Sequence, residues 1–297
     1  MNNTDVKVYD TTLRDGCQAE HVSFSVEDKL RVARRLIDLG VAYVEGGWPH
    51  ETNSADLEFF QQARDLDWGA TRLAAFGSTR HKDISAAEDS ILHYLIESQA
   101  PVVTLFGKSW ELHVTDVLGT SRDENLAMIE DSVAFVKSQG REVIFDAEHF
   151  FDGYKADPEY AMETLRAAAR GGADWLVPCD TNGGSMPHEM QQIMTAVTAE
   201  FDLPLGIHVH NDTGMATANS VIAVQAGATQ IQGTVNGYGE RAGNADLCTL
   251  VPNLELKLGR RCLPPGKLSD ITSLSVYVSE VANLPPNDRA PYVGAAA

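Results

Sequence analysis

His208 and His210 stand two residues apart at the end of an apolar run, Leu205 to Val209, with Asn211 and Asp212 directly after. On a strand, residues two apart point to one face, so both rings can grip a single cation. A lone pair of strand histidines reads equally well as satisfied core or surface side chains. The chemistry becomes specific only when further donors sit at the ends of other strands, and two do. Asp15 closes Asp10-Thr11-Thr12-Leu13-Arg14-Asp15 after the first strand candidate, and Asn244 closes Gly237-Tyr238-Gly239-Glu240-Arg241-Ala242-Gly243-Asn244 after the last. Asp15, His208, His210 and Asn244 offer a carboxylate, two imidazole nitrogens and an amide oxygen, leaving open positions for a bidentate oxygen ligand. Such a mixed set suits Mg²⁺, Mn²⁺, Co²⁺ or Zn²⁺ without choosing among them. The alternative has Asp15 in a salt bridge with a neighbour and the histidines hydrogen-bonded internally.

Other polar residues gather at the ends of the same apolar runs. Arg14, beside Asp15, is placed to stabilise negative charge developing on a carbonyl oxygen, or simply to hold Asp15. Asp146 and Glu148 share a strand face, and Glu148 suits a proton-handling or Arg-orienting carboxylate, or a structural ion pair with Arg14. Thr181 can hydrogen-bond a substrate carboxylate, or cap a helix. Asp10, Asp180 and Glu240 read as supporting or capping carboxylates. Trp48, Phe106 and Trp110 can wall a pocket or belong to the core. Cys17 has no adjacent base and makes a poor nucleophile.

The elements that must position these groups alternate along the chain. Eight β-like runs fall near Lys7 to Tyr9, Ala42 to Glu45, Arg72 to Ala75, Val102 to Phe106, Glu142 to Phe145, Trp175 to Pro178, Leu205 to Val209 and Thr229 to Thr234. Ser25 with Asp28, Ser85 with Glu88, and Ser121 with Glu124 form capping-box pairs that announce helices between them. Val26, Leu30, Ala33 and Ile37 line one helical face before Gly40, and Asp157-Pro158 opens a helix that Gly171-Gly172 ends. Parallel strands joined by crossover helices, with no linker before about Gly259, predict an α/β fold: one (β/α)₈ TIM barrel over residues 1–259. A doubly wound open sheet is the runner-up, and it wants a glycine-rich phosphate loop that Thr11-Thr12-Leu13-Arg14-Asp15-Gly16 is not. In residues 260–297 the spacing predicts one more helix from Ser269 to Ala282, with Ile271, Leu274, Val278 and Val281 inward. The remainder has no means of packing by itself.

Composition narrows the partners. Lys and Arg total 23 against 42 Asp and Glu, a formal charge of −19, which repels phosphate backbones and anionic lipid. Neither nucleic acid nor membrane is expected, and anionic substrates need local positive charge, which draws interest to Arg14, Lys108 and Arg241. Cys17, Cys179, Cys248 and Cys262 form no metal or disulfide pattern, and Met1-Asn2-Asn3-Thr4-Asp5 carries no signal stretch, so a cytoplasmic protein is expected.

At these motifs the chain resembles the pyruvate carboxyltransferase-type, or DRE-TIM metallolyase, barrels that include isopropylmalate, homocitrate and citramalate synthases. The matching stretches are Asp10 to Gly16, His208-Val209-His210-Asn211-Asp212 and Gly237 to Asn244. Val44 to Pro49, Ala75 to Arg80, Phe106 to Trp110, Asp146 to Tyr154 and Cys179 to Gly184 are most similar to the (R)-citramalate synthase branch. The resemblance implies condensation of acetyl-CoA with pyruvate, or a related 2-keto acid, feeding isoleucine synthesis, in a homodimer. Carried over by position, it implies Asp15, His208 and His210 as metal ligands with Asn244 as a further one, Arg14 polarising the keto oxygen, Glu148 supporting that centre and Thr181 contacting the keto-acid carboxylate. Family members continue past the equivalent of Val293-Gly294-Ala295 into a linker, often the partner subunit's, that carries a catalytic histidine. The tail therefore reads as a truncated linker, and the 297-residue chain is expected to bind metal and keto acid but to condense acetyl-CoA poorly. Full synthase turnover would overturn that. Three rivals stand beside this reading: a metal-dependent acyl-CoA retro-aldol lyase, a non-haem Fe(II) oxygenase, and a non-catalytic module that keeps the metal site for stability.

Overall fold

The computed structural model describes residues 5–297; Met1 to Thr4, part of the start read above as lacking a signal stretch, lie outside them. Eight parallel strands close in sequence order into a barrel. They are β1 (Lys7–Asp10), β2 (Tyr43–Gly47), β3 (Arg72–Ser78), β4 (Val102–Lys108), β5 (Glu142–Glu148), β6 (Trp175–Asp180), β7 (Gly206–Val209) and β8 (Gln230–Gly233). All eight runs read from the sequence are strands, and the open-sheet alternative falls. The difference lies at the C-terminal ends of β2 to β6, which run about two or three residues further than apolar patterning indicates, into Gly47, Ser78, Lys108, Glu148 and Asp180. There the strands leave the apolar layer and carry polar groups into the mouth.

Alternation divides each strand between two cores. Outward residues such as Val8, Val103, Phe145 and Ile207 meet the helices in the main hydrophobic core, while Tyr43, Ala74, Val102, Ile144 and Val177 plug the lumen. This plug seals the barrel below the site, so the mouth is a cup rather than a pore.

The helices form for the reasons their termini give. Helix Val26–Leu39 opens on a complete Ser25/Asp28 capping box and ends at Gly40 in a left-handed conformation. Asp157 accepts from the Tyr160 N–H with Pro158 in the first turn, as its sequence indicates. Two of the expected boxes come out differently. Ser85 bonds the Glu88 side chain, but the helix starts only at Ser90, because the Asp89 carboxylate caps both the Ile91 and Leu92 amides. Ser121 accepts from the Glu124 N–H, yet the Glu124 carboxylate turns to Arg80 instead of reaching back, an ion pair being the stronger draw.

After Gly259 the chain stays against the barrel. A short turn, Lys267–Asp270, leads into helix Ile271–Val281, which buries Ile271, Leu274 and Val278 and sets Tyr277 under Arg35, with the guanidinium carbon 4.6 Å from the ring centre. Val293 is buried in the main core. Among the described residues no helix is long and apolar enough to cross a membrane, and all four cysteines are free.

Replacing Ser25 with Ala removes the acceptor at the head of the first helix. The expected loss is about 1 kcal/mol, seen as a lower urea midpoint at unchanged slope. A midpoint equal to the parent's would show that the cap is redundant.

Candidate metal centre

A cavity of about 270 Å³ opens at the C-terminal mouth, and Arg14, Asp15, Glu148, Thr181, His208 and His210 all border it. Asp15 arrives there through the turn after β1. The Asp10 carboxylate accepts from the Thr12 N–H at 2.9 Å and the Thr12 hydroxyl at 3.0 Å, and Thr12 Oγ1 in turn accepts from the Val235 N–H at 2.9 Å. That tie runs from the first strand to the segment after the last. Asp180 similarly accepts from the Gly184 and Ser185 amides. Asp10 and Asp180 thus have the supporting roles expected of them.

β7 delivers both imidazoles to the lumen. Their Nε2 atoms lie 3.2 Å apart, and Asp15 Oδ2 is 3.3 Å from His208 Nε2 and 3.8 Å from His210 Nε2. Two donors each about 2.1 Å from one ion, at right angles, lie about 3 Å apart, so this spacing fits a shared divalent cation. Asp15, His208 and His210 are the one group among the described residues with three such ligand atoms within 4.8 Å of one another. Asn244 pairs across a short bridge with His210, and its amide nitrogen donates to the Tyr238 carbonyl at 3.2 Å. Its Oδ1, like Asp15 Oδ1, is buried with no hydrogen-bond partner. Buried acceptors without donors are costly, and a cation would satisfy them. The glycines of this loop make the geometry possible, since a Cβ at Gly239 would lie 2.2 Å from Asn244 Nδ2.

The groups beneath set charge and tautomer. His208 Nδ1 faces Gln232 Oε1 at 2.9 Å, and Gln232 Nε2 donates to Asp146 Oδ1 at 3.0 Å. With Nδ1 as the donor, the Nε2 lone pair points at the metal position. Burial pushes the Asp146 carboxyl up to about 7, with His208 opposing and Glu45 adding. Burial alone would also raise Asp15, but Arg14 and the two histidines hold it well below the carboxylate range. Burial works against a charged His208 too, yet the contact with Asp15 raises it above its ordinary value. Burial and the neighbouring His208 lower His210 to about 3. Without an ion, therefore, the Asp15 contact favours a proton on His208, while His210 is held toward its neutral form.

Arg14 is held differently from expectation. Its Nε donates to Glu45 Oε1 at 2.5 Å, and its guanidinium carbon stacks 3.7 Å from the centre of the Phe76 ring. Glu45, fully buried on β2, also accepts from the Tyr9 hydroxyl and, at 2.5 Å, from Thr11. Glu148 does not orient Arg14; it pairs with Lys108 on the adjacent strand. Glu45 and Gln232 are thus the site residues that sequence reasoning left without a role, while Lys108, singled out there as local positive charge, is paired with Glu148. A carboxylate inside the apolar run Tyr43–Gly47 was the available signal for the first, because a buried charge needs a partner. Thr181 accepts from the His149 N–H at 2.8 Å, which leaves its own hydroxyl proton for the cavity. Trp48 and Phe106 do wall the cavity, together with Phe76.

A closed α/β barrel with a carboxylate and two imidazoles aimed at one point inside its C-terminal mouth is a TIM barrel with a candidate metal centre. The chain belongs to the HMGL-like family, which it matches over residues 5–278. It is 54% identical over 98% of its length to the (R)-citramalate synthase of Aquifex aeolicus, spanning 55% of that protein. It is 51% identical over 99% of its length to the (R)-citramalate synthase of Synechocystis sp., again spanning 55%. The chain thus covers about half the length of these curated relatives. The solved hydroxymethylglutaryl-CoA lyase of Pseudomonas aeruginosa shares the fold at 19% identity, with a TM-score of 0.80 over 97% of this chain and 96% of that one.

Because His208 sits above its ordinary value without an ion, metal entry must displace its proton. Mn²⁺ affinity should rise with pH through and above about 6.5 and level off once His208 is neutral. Titration calorimetry near neutral pH in buffers of different ionisation enthalpy should register proton release, and heats independent of buffer would contradict the assignment. Asp15→Asn or His210→Ala should abolish the binding isotherm, whereas His93→Ala, on an outer helix, should leave it intact.

Proposed function

We propose that this barrel is the catalytic unit for condensing acetyl-CoA with pyruvate to (R)-citramalate and CoA, a cytoplasmic step toward isoleucine, in a homodimeric full-length protein. The observation that carries the proposal is the convergence of Asp15, His208 and His210 on one point of the cavity, in a chain 54% identical to a protein of that name. Unpartnered Asn244 Oδ1 offers a further ligand beside them. A divalent ion on these four residues would polarise the keto group of a chelating 2-keto acid.

The protein's own groups supply the rest. Arg14 is gripped at Nε, so its outer nitrogens remain for oxygen on which negative charge develops, and preorganised charge of this kind acts most strongly in the transition state. The Thr181 hydroxyl is free to donate to the acid's carboxylate. Glu148, half-covered and paired with Lys108, supports proton handling at the cavity edge. Loss of a methyl proton makes the acetyl carbon nucleophilic; its attack on the keto carbon forms the new bond, the keto oxygen takes a proton, and hydrolysis of the thioester releases CoA. Trp48, Phe76 and Phe106 keep water from one side of that bond-forming step.

A panel of 2-keto acids with acetyl-CoA, offered to a form of the protein extended past Ala297 and read by thiol release with and without EDTA, tests the proposal. Pyruvate should lead, and EDTA should abolish release. Release indifferent to EDTA, or faster cleavage of hydroxyacyl-CoA thioesters than condensation, would replace this reading. Arg14→Lys should lower kcat/KM by about 10²- to 10³-fold, because a lysine loses both the planar stack and the fork, while Mn²⁺ affinity stays near the parent's.

A further inference from the structure

We infer that Lys29, Asn53 and Asp56 form a buried clamp that positions the mouth from behind, by fixing the bulge at the end of β2, and that keto-acid binding depends on it. This inference rests on the keto-acid reading above.

In the pairing of β2 with β3, Glu45 lies opposite Ala74 and Gly47 opposite Ala75, so one residue of β2 is extra. Such a bulge interrupts the ladder and leaves backbone groups that need other partners. Three side chains from two helical segments supply them. Lys29, on helix Val26–Leu39, donates through Nζ to the Gly46 carbonyl at 3.1 Å and forms an ion pair with Asp56. Asp56, in the first turn of helix Ser54–Ala63, accepts from the Trp48 N–H and from Asn53 Nδ2, both at 2.8 Å. Asn53 reaches the Trp48 carbonyl at 3.3 Å. The backbone bends to admit the carboxylate: Gly47 has φ +147°, and a Cβ there would lie 2.3 Å from Asp56 Oδ2.

Both sides of the bulge face the reacting space. Just before it, Glu45 holds Arg14. Just after it, Trp48 packs edge-on to Phe76 at 5.9 Å and to Phe106 at 5.4 Å, and Phe76 is the ring beneath Arg14. The clamp therefore governs both grips on the guanidinium, one through Glu45 and one through Trp48 and Phe76, without touching the cavity chemistry itself. Lys29, Asn53 and Asp56 are positioning residues.

Stability alone does not account for them. Lys29 and Asp56 are each only 6% exposed. Burying such a pair costs so much hydration that apolar residues of similar volume usually serve the fold as well or better. What apolar residues lack is direction: only donors and acceptors can pin a carbonyl and an amide of an irregular strand to a fixed place.

The test compares the parent with Lys29→Met/Asp56→Leu and with Asp56→Asn, titrating Mn²⁺ and then pyruvate into Mn²⁺-saturated protein by calorimetry, with a thermal midpoint for each. The double variant should fold with a lowered midpoint, since the Gly46 carbonyl and the Trp48 amide lose their partners, yet bind Mn²⁺ equally, because the candidate ligands stand at the end of β7 and in the turn after β1. Its pyruvate Kd should rise about tenfold or more, as misplacement of a positioned group does. Asp56→Asn should show a smaller rise, and it decides the matter alone if the double variant does not fold. Pyruvate affinity equal to the parent's in the variants that fold overturns the clamp, and so does parallel loss of Mn²⁺ and pyruvate binding, which marks general collapse of the mouth. A parent that takes Mn²⁺ but no pyruvate overturns the keto-acid reading, and the clamp's role with it.

Discussion

Three candidate ligand atoms that cannot all be satisfied by one another are pressed together at the mouth of this barrel. Two imidazole nitrogens at 3.2 Å can share at most one proton, and the carboxylate oxygen beside them leaves its twin without any donor. Each buried acceptor left unpaired costs about 1–3 kcal/mol. The architecture imposes this arrangement because the donors sit on separate parts of a rigid wall, Asp15 after β1, the histidines at the end of β7 and directly after it, and Asn244 beyond β8. A cation would remove the conflict without moving them, because the donors already stand in place.

A second consequence concerns charge. The chain carries a formal −19, a field that opposes anionic ligands everywhere. Three cationic residues invite attention as the local remedy, yet two are committed elsewhere. Lys108 pairs with Glu148, and Arg241 pairs with Asp212 and Glu240. Arg14 is also paired, but through Nε, while its nearest outer nitrogen stands 3.7 Å from Asp15. Of the three, it alone has its neutralising contact on one edge and its outer face turned to the cavity. Glu45 thus does more than balance a charge: it decides which edge of the guanidinium remains.

Much of this was legible in the sequence, for reasons particular to its parts. The strands show because parallel barrel strands are apolar on both faces, and the helices because Ser25, Gly40 and Asp157 act through local chemistry that ignores distant contacts. The candidate metal donors show because Asp15, His208, His210 and Asn244 all stand at or shortly after the ends of apolar runs. Glu45 stayed silent because its partners, Tyr9, Thr11 and Arg14, are distant in sequence and meet it only across the β1–β2 pair. Gln232 looks like any polar strand residue until His208 stands beside it on the neighbouring strand. The mistaken helix start at Ser85 has a local cause as well, since two acceptable caps compete within five residues and Asp89 holds two amides where Ser85 holds none.

Placement of the donors ties the chemistry to completion of the fold. β1 and β8 pair along Lys7 to Asp10 and Gln230 to Gly233, and this seam closes the wall of the barrel between the first and last thirds of the chain. Thr12 reinforces the seam by accepting from Val235, so the turn that carries Asp15 is anchored on the segment that leads to Asn244. An open sheet lacking that seam could hold two histidines on β7 but no carboxylate opposite them. Long-range closure of this kind is slow and is rewarded late, so the donor set comes into being with the closed barrel and at no earlier stage, and a cation that binds it favours the closed state over every open one.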